Sequence, residues 1–161
     1  MFAPRAYDYV AGRAVAQGHQ EGVAGEPLVL IVEDDFSTRA MYREYLTHCG
    51  FRIADAHNGH QALEKVRELQ PHAVVTDLAV PGMDGFAFCR ALQQSDATRS
   101  IPIIAVTGHA EYLDDPERFR QSGILHVLTK PCLPDVLVDE LRRVLRPVHA
   151  ERVRLPRNGT H

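Results

Sequence analysis

Leu28-Val29-Leu30-Ile31-Val32-Glu33-Asp34-Asp35 decides how this chain reads: five β-forming apolar residues, then three carboxylates. A short continuous apolar run fits a strand buried on both faces of a parallel sheet. Acidic groups directly after such a run fall where an open α/β sheet places its ligand site, beyond the carboxyl ends of the strands. Working outward, Ala73-Val74-Val75 and Ile103-Ile104-Ala105-Val106 are runs of the same kind. Phe51-Arg52-Ile53-Ala54-Asp55-Ala56 alternates apolar and polar residues, which suits a half-exposed edge strand. Ile124 to Leu128 is the fifth run, interrupted by His126.

Helical segments lie between these runs. Met41, Tyr45 and Cys49 recur at i, i+4 and i+8, and Gly50 follows as a stop. Ala62, Leu63 and Val66 share a face after the turn signal Asn58-Gly59, and Phe88, Cys89 and Leu92 do so in the next segment. The segment between His109 and Gly123 is the least regular, and Asp114, Asp115 and Pro116 delay its start. Leu137, Leu141, Val144 and Leu145 form a clean stripe with Pro134 in the first turn. Five strands alternating with five helices predict an open α/β sheet with helices on both faces.

Composition narrows the function classes. The 161 residues suit one domain, and 45% hydrophobic with 24% charged is the balance of a soluble globular protein. A net charge of −3 argues for neither nucleic acid nor a membrane surface. Cys49, Cys89 and Cys132 are widely spaced and odd in number, so they read as small buried or half-buried hydrophobes, not as a zinc site or a disulfide framework. No run approaches the length of a membrane span, and the first 27 residues lack the apolar core of a signal peptide, which makes the cytoplasm the default compartment. Residues 1–26 read as an irregular arm, 27–146 as the folded unit, and 147–161, with Arg152, Arg154 and Arg157, as a basic tail.

The groups just after the strands carry the chemistry. Glu33, Asp34 and Asp35 follow the first strand, Asp77 the third, Thr107 the fourth and Lys130 the fifth. A lone acidic triplet ordinarily serves the following helix N-terminus; four complementary groups at four strand ends are a different matter. Crowded carboxylates raise one another's pKa, and a hard divalent cation removes the conflict. At a phosphate site a small carboxylate set favours Mg²⁺, with Mn²⁺ as an alternative. Lys130 and the Thr107 hydroxyl can each contact a phosphoryl oxygen, and a carboxylate can itself be the nucleophile, forming an acyl phosphate.

At these residues the chain resembles the receiver domain of two-component response regulators over about Pro27 to Arg146. The matching motifs are Leu30-Ile31-Val32-Glu33-Asp34-Asp35, Thr76-Asp77 followed by Pro81-Gly82-Met83-Asp84-Gly85, Val106-Thr107-Gly108, and Leu128-Thr129-Lys130-Pro131. Intervals of 43 residues from Asp34 to Asp77, 30 to Thr107 and 23 to Lys130 also fit. The resemblance implies a flavodoxin-like, doubly wound parallel sheet of order 2-1-3-4-5. It implies Asp77 as phosphoacceptor, Asp34 as direct metal ligand with Glu33 as its acidic partner, and the Ala79 carbonyl completing the protein ligands. It implies Thr107 as the hydroxyl that moves on activation, Lys130 as the phosphoryl-contacting lysine, and a cis bond from Lys130 to Pro131. Asp35 is given a helix-capping role.

Two departures bear on output. The aromatic switch position of the fifth strand is His126, whose imidazole can titrate near neutral pH; turning inward would favour its neutral form, so activation would be easier at higher pH. Pro116 falls in the fourth helix and shortens or shifts it. With only 15 residues after Arg146, output is expected through protein contact. The implied partners are a histidine kinase or histidine phosphotransfer protein and an unidentified downstream protein, with no nucleic acid and no membrane. On this reading the chain is no enzyme beyond self-catalysed phosphotransfer and autodephosphorylation. The alternatives are an intermediate carrier in a phosphorelay and a phosphohydrolase of the haloacid dehalogenase type. The latter is disfavoured because Glu33-Asp34-Asp35-Phe36 lacks that motif's nucleophile. Neither a P-loop nor GxGxxG is present.

Overall fold

The computed structural model describes residues 25–146. The arm and the basic tail expected from the sequence therefore lie outside the described residues, apart from Gly25 and Glu26 of the arm. In chain order the elements are β1 (Leu28–Val32), α1 (Phe36–His48), β2 (Arg52–Ala56), α2 (Gly59–Leu69), β3 (Ala73–Thr76), α3 (Gly85–Gln93), β4 (Ile103–Thr107), a 3₁₀ turn (Ala110–Asp114), α4 (Pro116–Ser122), β5 (His126–Thr129) and α5 (Pro134–Val144). The five strands are all parallel and run in the order β2-β1-β3-β4-β5.

The continuous apolar runs have a plain cause. Side chains of a strand alternate between faces, and both faces of this sheet are covered. Val29 and Ile31 point with Val75, Ile104 and Val106 into one core, closed by Tyr42 and Leu46 of α1 and by Leu137 and Leu141 of α5. Leu30, Val32, Val74 and Ile103 point into the other, closed by Ala62 and Val66 of α2 and by Phe88 and Leu92 of α3. A strand with a core on each side has no polar face, as in β1, β3 and β4, whereas the edge strand β2 is only partly buried.

Three sequence expectations need correction. The buried residues of α1 are Tyr42 and Leu46, while Met41 is 43% exposed and Tyr45 only half-buried. Met41 instead lines a shallow groove of about 460 Å³ with Thr38, Tyr42, Lys130, Pro131 and Cys132. Several i, i+4 series fit so short a helix, and the packing of α5 beside α1 selects among them. Cys49 is buried but lies past the helix as its C-cap, ahead of Gly50 at φ 103°. Strand β5 begins at His126, not at Ile124, because Gly123 at φ 72° ends α4 in the left-handed conformation and the chain must still return to the sheet.

The segment after β4 arrives in two short pieces. The 3₁₀ turn ends at Asp114, and Asp115 then caps a seven-residue α4, accepting from Arg118 N at 3.0 Å, with Pro116 in its first turn. Cys49 and Cys89 are buried and Cys132 is half-buried. Burial pushes the Cys89 thiol up to about 12, so it behaves as a packed hydrophobe.

Gly85 seats α3 on the loop after β3. A Cβ there would lie 2.5 Å from Leu78 Cα and 2.7 Å from Leu78 O, both backbone atoms that cannot rotate away. Gly85→Ala is expected to cost about 1–3 kcal/mol, the range of core overpacking. Urea unfolding checks this, and a midpoint equal to wild type would show that the loop gives way freely.

Candidate functional site

Backbone hydrogen bonds carry the sheet register past the strand ends and place the polar groups. Glu33 N donates to Ala56 O at 3.0 Å, Asp77 N to Val32 O at 2.9 Å, and Lys130 N to Thr107 O at 2.8 Å. The residues after β1, β3 and β5 are thus fixed as firmly as the strands themselves. Glu33, Asp77 and Thr107 are buried, and Asp34 is exposed at the mouth.

Each of Glu33, Asp34 and Asp77 offers a carboxylate oxygen within 4.8 Å of the others. Lys130 Nζ lies 2.6 Å from Asp77 Oδ2 and 2.7 Å from Glu33 Oε2. The second oxygens are also occupied: Ala79 N donates to Asp77 Oδ1 at 2.9 Å, and Asp35 N donates to Glu33 Oε1 at 3.0 Å. Burial pushes the Glu33 carboxyl above its ordinary range, against the hydrogen bonds from Lys130 and Asp35. Burial would lower the Lys130 ammonium, but its hydrogen bonds to Asp77 and Glu33 outweigh this and hold it above the usual lysine value.

One lysine faces three carboxylates, so the cluster remains short of positive charge. The donors present are all hard carboxylate oxygens, one of them on a buried glutamate whose ionisation burial opposes. That set fits a small divalent cation, with Glu33, Asp34 and Asp77 as the residues that would hold it.

The remaining residues singled out in the sequence fall as follows. Asp35 caps α1, accepting from Thr38 N at 2.7 Å, and hydrogen bonding from the Thr38 side chain, then from its backbone N–H, lowers the Asp35 carboxyl below the ordinary range. The Thr107 hydroxyl turns to its own loop, accepting from His109 N at 3.1 Å. The Lys130–Pro131 bond is cis. His126 opens β5 on the far edge of the sheet and faces α5, with Nδ1 3.8 Å from Glu140 Oε1.

The sequence did not point to Arg39. Its guanidinium donates to Glu33 O at 2.8 Å and Asp34 O at 3.3 Å, holding the backbone of the acidic turn from α1. Thr76 stood in the Thr76-Asp77 motif with no role assigned; its buried hydroxyl donates to Asp77 O at 2.8 Å. Neither contact follows from a period or a motif; both depend on where α1 and β3 pack.

A family profile described as the response regulator receiver domain matches residues 29–142. The transcriptional regulatory protein AfsQ1 of Streptomyces coelicolor is 35% identical over 120 residues, covering 74% of this chain and 52% of that protein. The chain thus spans about half the length of that relative. The polar-differentiation response regulator DivK of Brucella anthropi is 31% identical over 117 residues, covering 73% of this chain and 94% of that protein. Among solved structures, the receiver domain of a sensor histidine kinase from Pseudomonas aeruginosa superposes with a TM-score of 0.68 at 29% identity. The match covers 76% of this chain and 98% of that one, whose structure has a magnesium ion coordinated in the active site cleft. With the strand order, the convergent carboxylates and lysine, and a family match across the whole sheet, this chain belongs to the receiver-domain family of response regulators.

Proposed function

We propose that the chain is a signalling receiver that takes a phosphoryl group onto Asp77 from the phosphohistidine of a histidine kinase or histidine phosphotransfer protein. The observation that carries this reading is the double contact of Asp77: Lys130 Nζ at 2.6 Å on one oxygen and the Ala79 N–H at 2.9 Å on the other, with Glu33 and Asp34 within 4.8 Å. These contacts orient the carboxylate for attack. A carboxylate oxygen of Asp77 bonds to phosphorus as the phosphorus–nitrogen bond of phosphohistidine breaks, and the imidazole leaves with its electron pair, to be protonated by solvent. Lys130 then balances charge on the phosphoryl oxygens, and the Thr107 hydroxyl offers them a donor. A divalent cation, Mg²⁺ or Mn²⁺, would be held by Glu33, Asp34, Asp77 and the Ala79 carbonyl. It supplies the remaining charge neutralisation.

Self-catalysed transfer and autodephosphorylation are the whole of the chemistry in this proposal. The folded unit is residues 27–146, flanked by an arm of 1–26 and a tail of 147–161. Output passes to a downstream protein in the cytoplasm, with His126 at the switch position of β5, and uses neither nucleic acid nor a membrane. Among the described residues no helix is long and apolar enough to cross a membrane. Acetyl phosphate as donor tests the reading: a single phosphoryl group should be added, and only with Mg²⁺ or Mn²⁺ present. Labelling untouched by chelator, or sustained multiple turnover of a phosphate ester, would refute it.

The metal arm has its own readout. Mg²⁺ at 100 times its dissociation constant should stabilise the native state by about 2.7 kcal/mol through mass action. Asp34→Asn, which removes a ligand and a repelling charge, should lose most of that gain and leave the metal-free protein no less stable. Melting curves with and without Mg²⁺ decide it; an unchanged metal response in Asp34→Asn would exclude that ligand.

A further inference from the structure

α4 is short for its task. Its seven residues follow a 3₁₀ turn, and its Phe119 packs into a small cluster around Leu78, Ala105 and the fully buried Phe86 of α3. Phe119 of α4 meets the Phe86 ring edge-on at 5.0 Å between centroids, and Tyr112 of the 3₁₀ turn does the same at 5.6 Å. Arg118 of α4 closes the cluster. Its guanidinium carbon lies 4.2 Å from the Phe86 ring centroid, and its Nη2 lies 2.8 Å from Asp84 Oδ2.

Asp84 is already committed on its other side, where Oδ1 accepts from Phe86 N at 3.1 Å and caps α3. The next residue, Gly85, donates its N–H to Leu78 O at 3.2 Å and packs against the Leu78 backbone. Leu78 lies between Asp77 and Ala79. Arg118 therefore grips the start of α3 at the point where α3 holds the phosphoacceptor loop. From the opposite side, Tyr112 touches the His109 ring at 5.5 Å, and His109 N donates to the Thr107 hydroxyl. The two loops flanking Asp77 thus share one cluster.

We infer that Arg118 is a positioning residue: its contacts with Asp84 and Phe86 form a clasp that holds α4 and the Thr107 loop in the arrangement of the phosphoryl-free site, and so oppose phosphoryl engagement at Asp77. The inference rests on the phosphoacceptor reading above. Its direction follows from the geometry. In the clasped arrangement the Thr107 hydroxyl is oriented by His109 within its own loop, so a ligand on Asp77 that draws Thr107 over must work against the His109–Tyr112–Phe86–Arg118 stack. A ligand that binds one arrangement better than another gains whatever the protein no longer spends to reach it.

The probe is fluoroberyllate with Mg²⁺, a non-transferable phosphoryl mimic, titrated by calorimetry against the full chain. Arg118→Gln should bind it at least about threefold more tightly than wild type, equivalent to about 0.7 kcal/mol. Arg118→Lys keeps a charge for Asp84 but loses the planar stack on Phe86, so it should fall between; it also carries the test if Arg118→Gln folds poorly. Asp84→Asn retains a capping oxygen for Phe86 N while removing the charge. It should tighten binding as well, and the double variant should gain little over either single one. Mg²⁺ affinity alone should stay within about twofold in every variant, because Arg118 grips Asp84 and not the carboxylate cluster; a merely loosened fold would not separate the two ligands in this way.

Equal or weaker fluoroberyllate binding in both Arg118 variants would overturn the clasp, as would an Arg118→Gln effect retained in full beside Asp84→Asn. Wild-type protein that fails to bind fluoroberyllate through Asp77 would instead overturn the phosphoacceptor reading, and the clasp with it.

Discussion

Asp77→Asn is expected to reduce phosphoryl incorporation from acetyl phosphate by on the order of 100-fold or more, a barrier increase of at least about 2.7 kcal/mol. The substitution is nearly isosteric. An asparagine oxygen can still accept from Ala79 N, as Asp77 Oδ1 does at 2.9 Å, so the loop after β3 keeps its shape. What disappears is the anionic oxygen that attacks phosphorus, since a neutral amide is a poor nucleophile toward it. Lys130 loses one of its two carboxylate partners but keeps Glu33 at 2.7 Å. Intact-mass measurement, with hydroxylamine to release acyl phosphates, reads the result. Incorporation at the wild-type rate in Asp77→Asn would place the acceptor elsewhere.

Lys130→Met should destabilise the metal-free protein by about 1–3 kcal/mol at neutral pH. Breaking a buried ion pair by removing one partner costs about 3–5 kcal/mol. The side chain of Lys130 is 28% exposed, which screens part of that cost. The destabilisation comes from Glu33 and Asp77, which are left as close, buried carboxylates without their shared cation.

The pH dependence gives the loss its signature. In wild type the Lys130 ammonium is raised by its carboxylate partners, so its contribution is fully present below the unfolded value near 10.4 and fades as pH rises through the folded one. The variant lacks this alkaline loss. Glu33 is raised by burial, and removing Lys130 takes away a group that lowered it. A carboxyl raised in the folded state favours folding most below its unfolded value near 4.3, and that benefit is lost as pH rises through the folded value. The gap between Lys130→Met and wild type should therefore narrow on acidification toward about pH 5, and again when Mg²⁺ supplies the missing charge. Denaturant titrations at pH 5 and pH 7.5, with and without Mg²⁺, test it. A gap independent of both would mean that Lys130 stabilises the fold by packing its stem.

Much of this protein is legible in one dimension because its sheet is covered on both sides. A strand with two cores has to be apolar throughout, so β1, β3 and β4 stand out as runs, and the residue after each run is placed by the same ladder that pairs the strands. That is why Glu33, Asp34 and Asp77, whose carboxylates the fold brings within reach of one another, stood out by position, and why Asp35 could be given the α1 cap. The edges were less legible. Half-exposed β5 carries a weaker pattern, and its start is set by the left-handed Gly123.

Tertiary structure alone decided the rest. The choice of Tyr42 and Leu46 over Met41 as the buried side of α1 depends on how α1 packs against the sheet and α5. Whether Lys130 would neutralise Glu33 or Asp77 could not be read from spacing; it reaches both, because the ends of β1 and β3 are neighbours and Lys130 arrives from β5 over the top of β4. Arg39 on the acidic turn, Thr76 on the Asp77 carbonyl, and Arg118 between Asp84 and Phe86 are contacts between elements. The sequence by itself determined which elements form and what chemistry stands at their ends, since burial and strand pairing are written in local pattern. Which side chains meet was decided by the packing of helices on the sheet, because a flexible side chain takes its partner from whatever the fold brings within its reach.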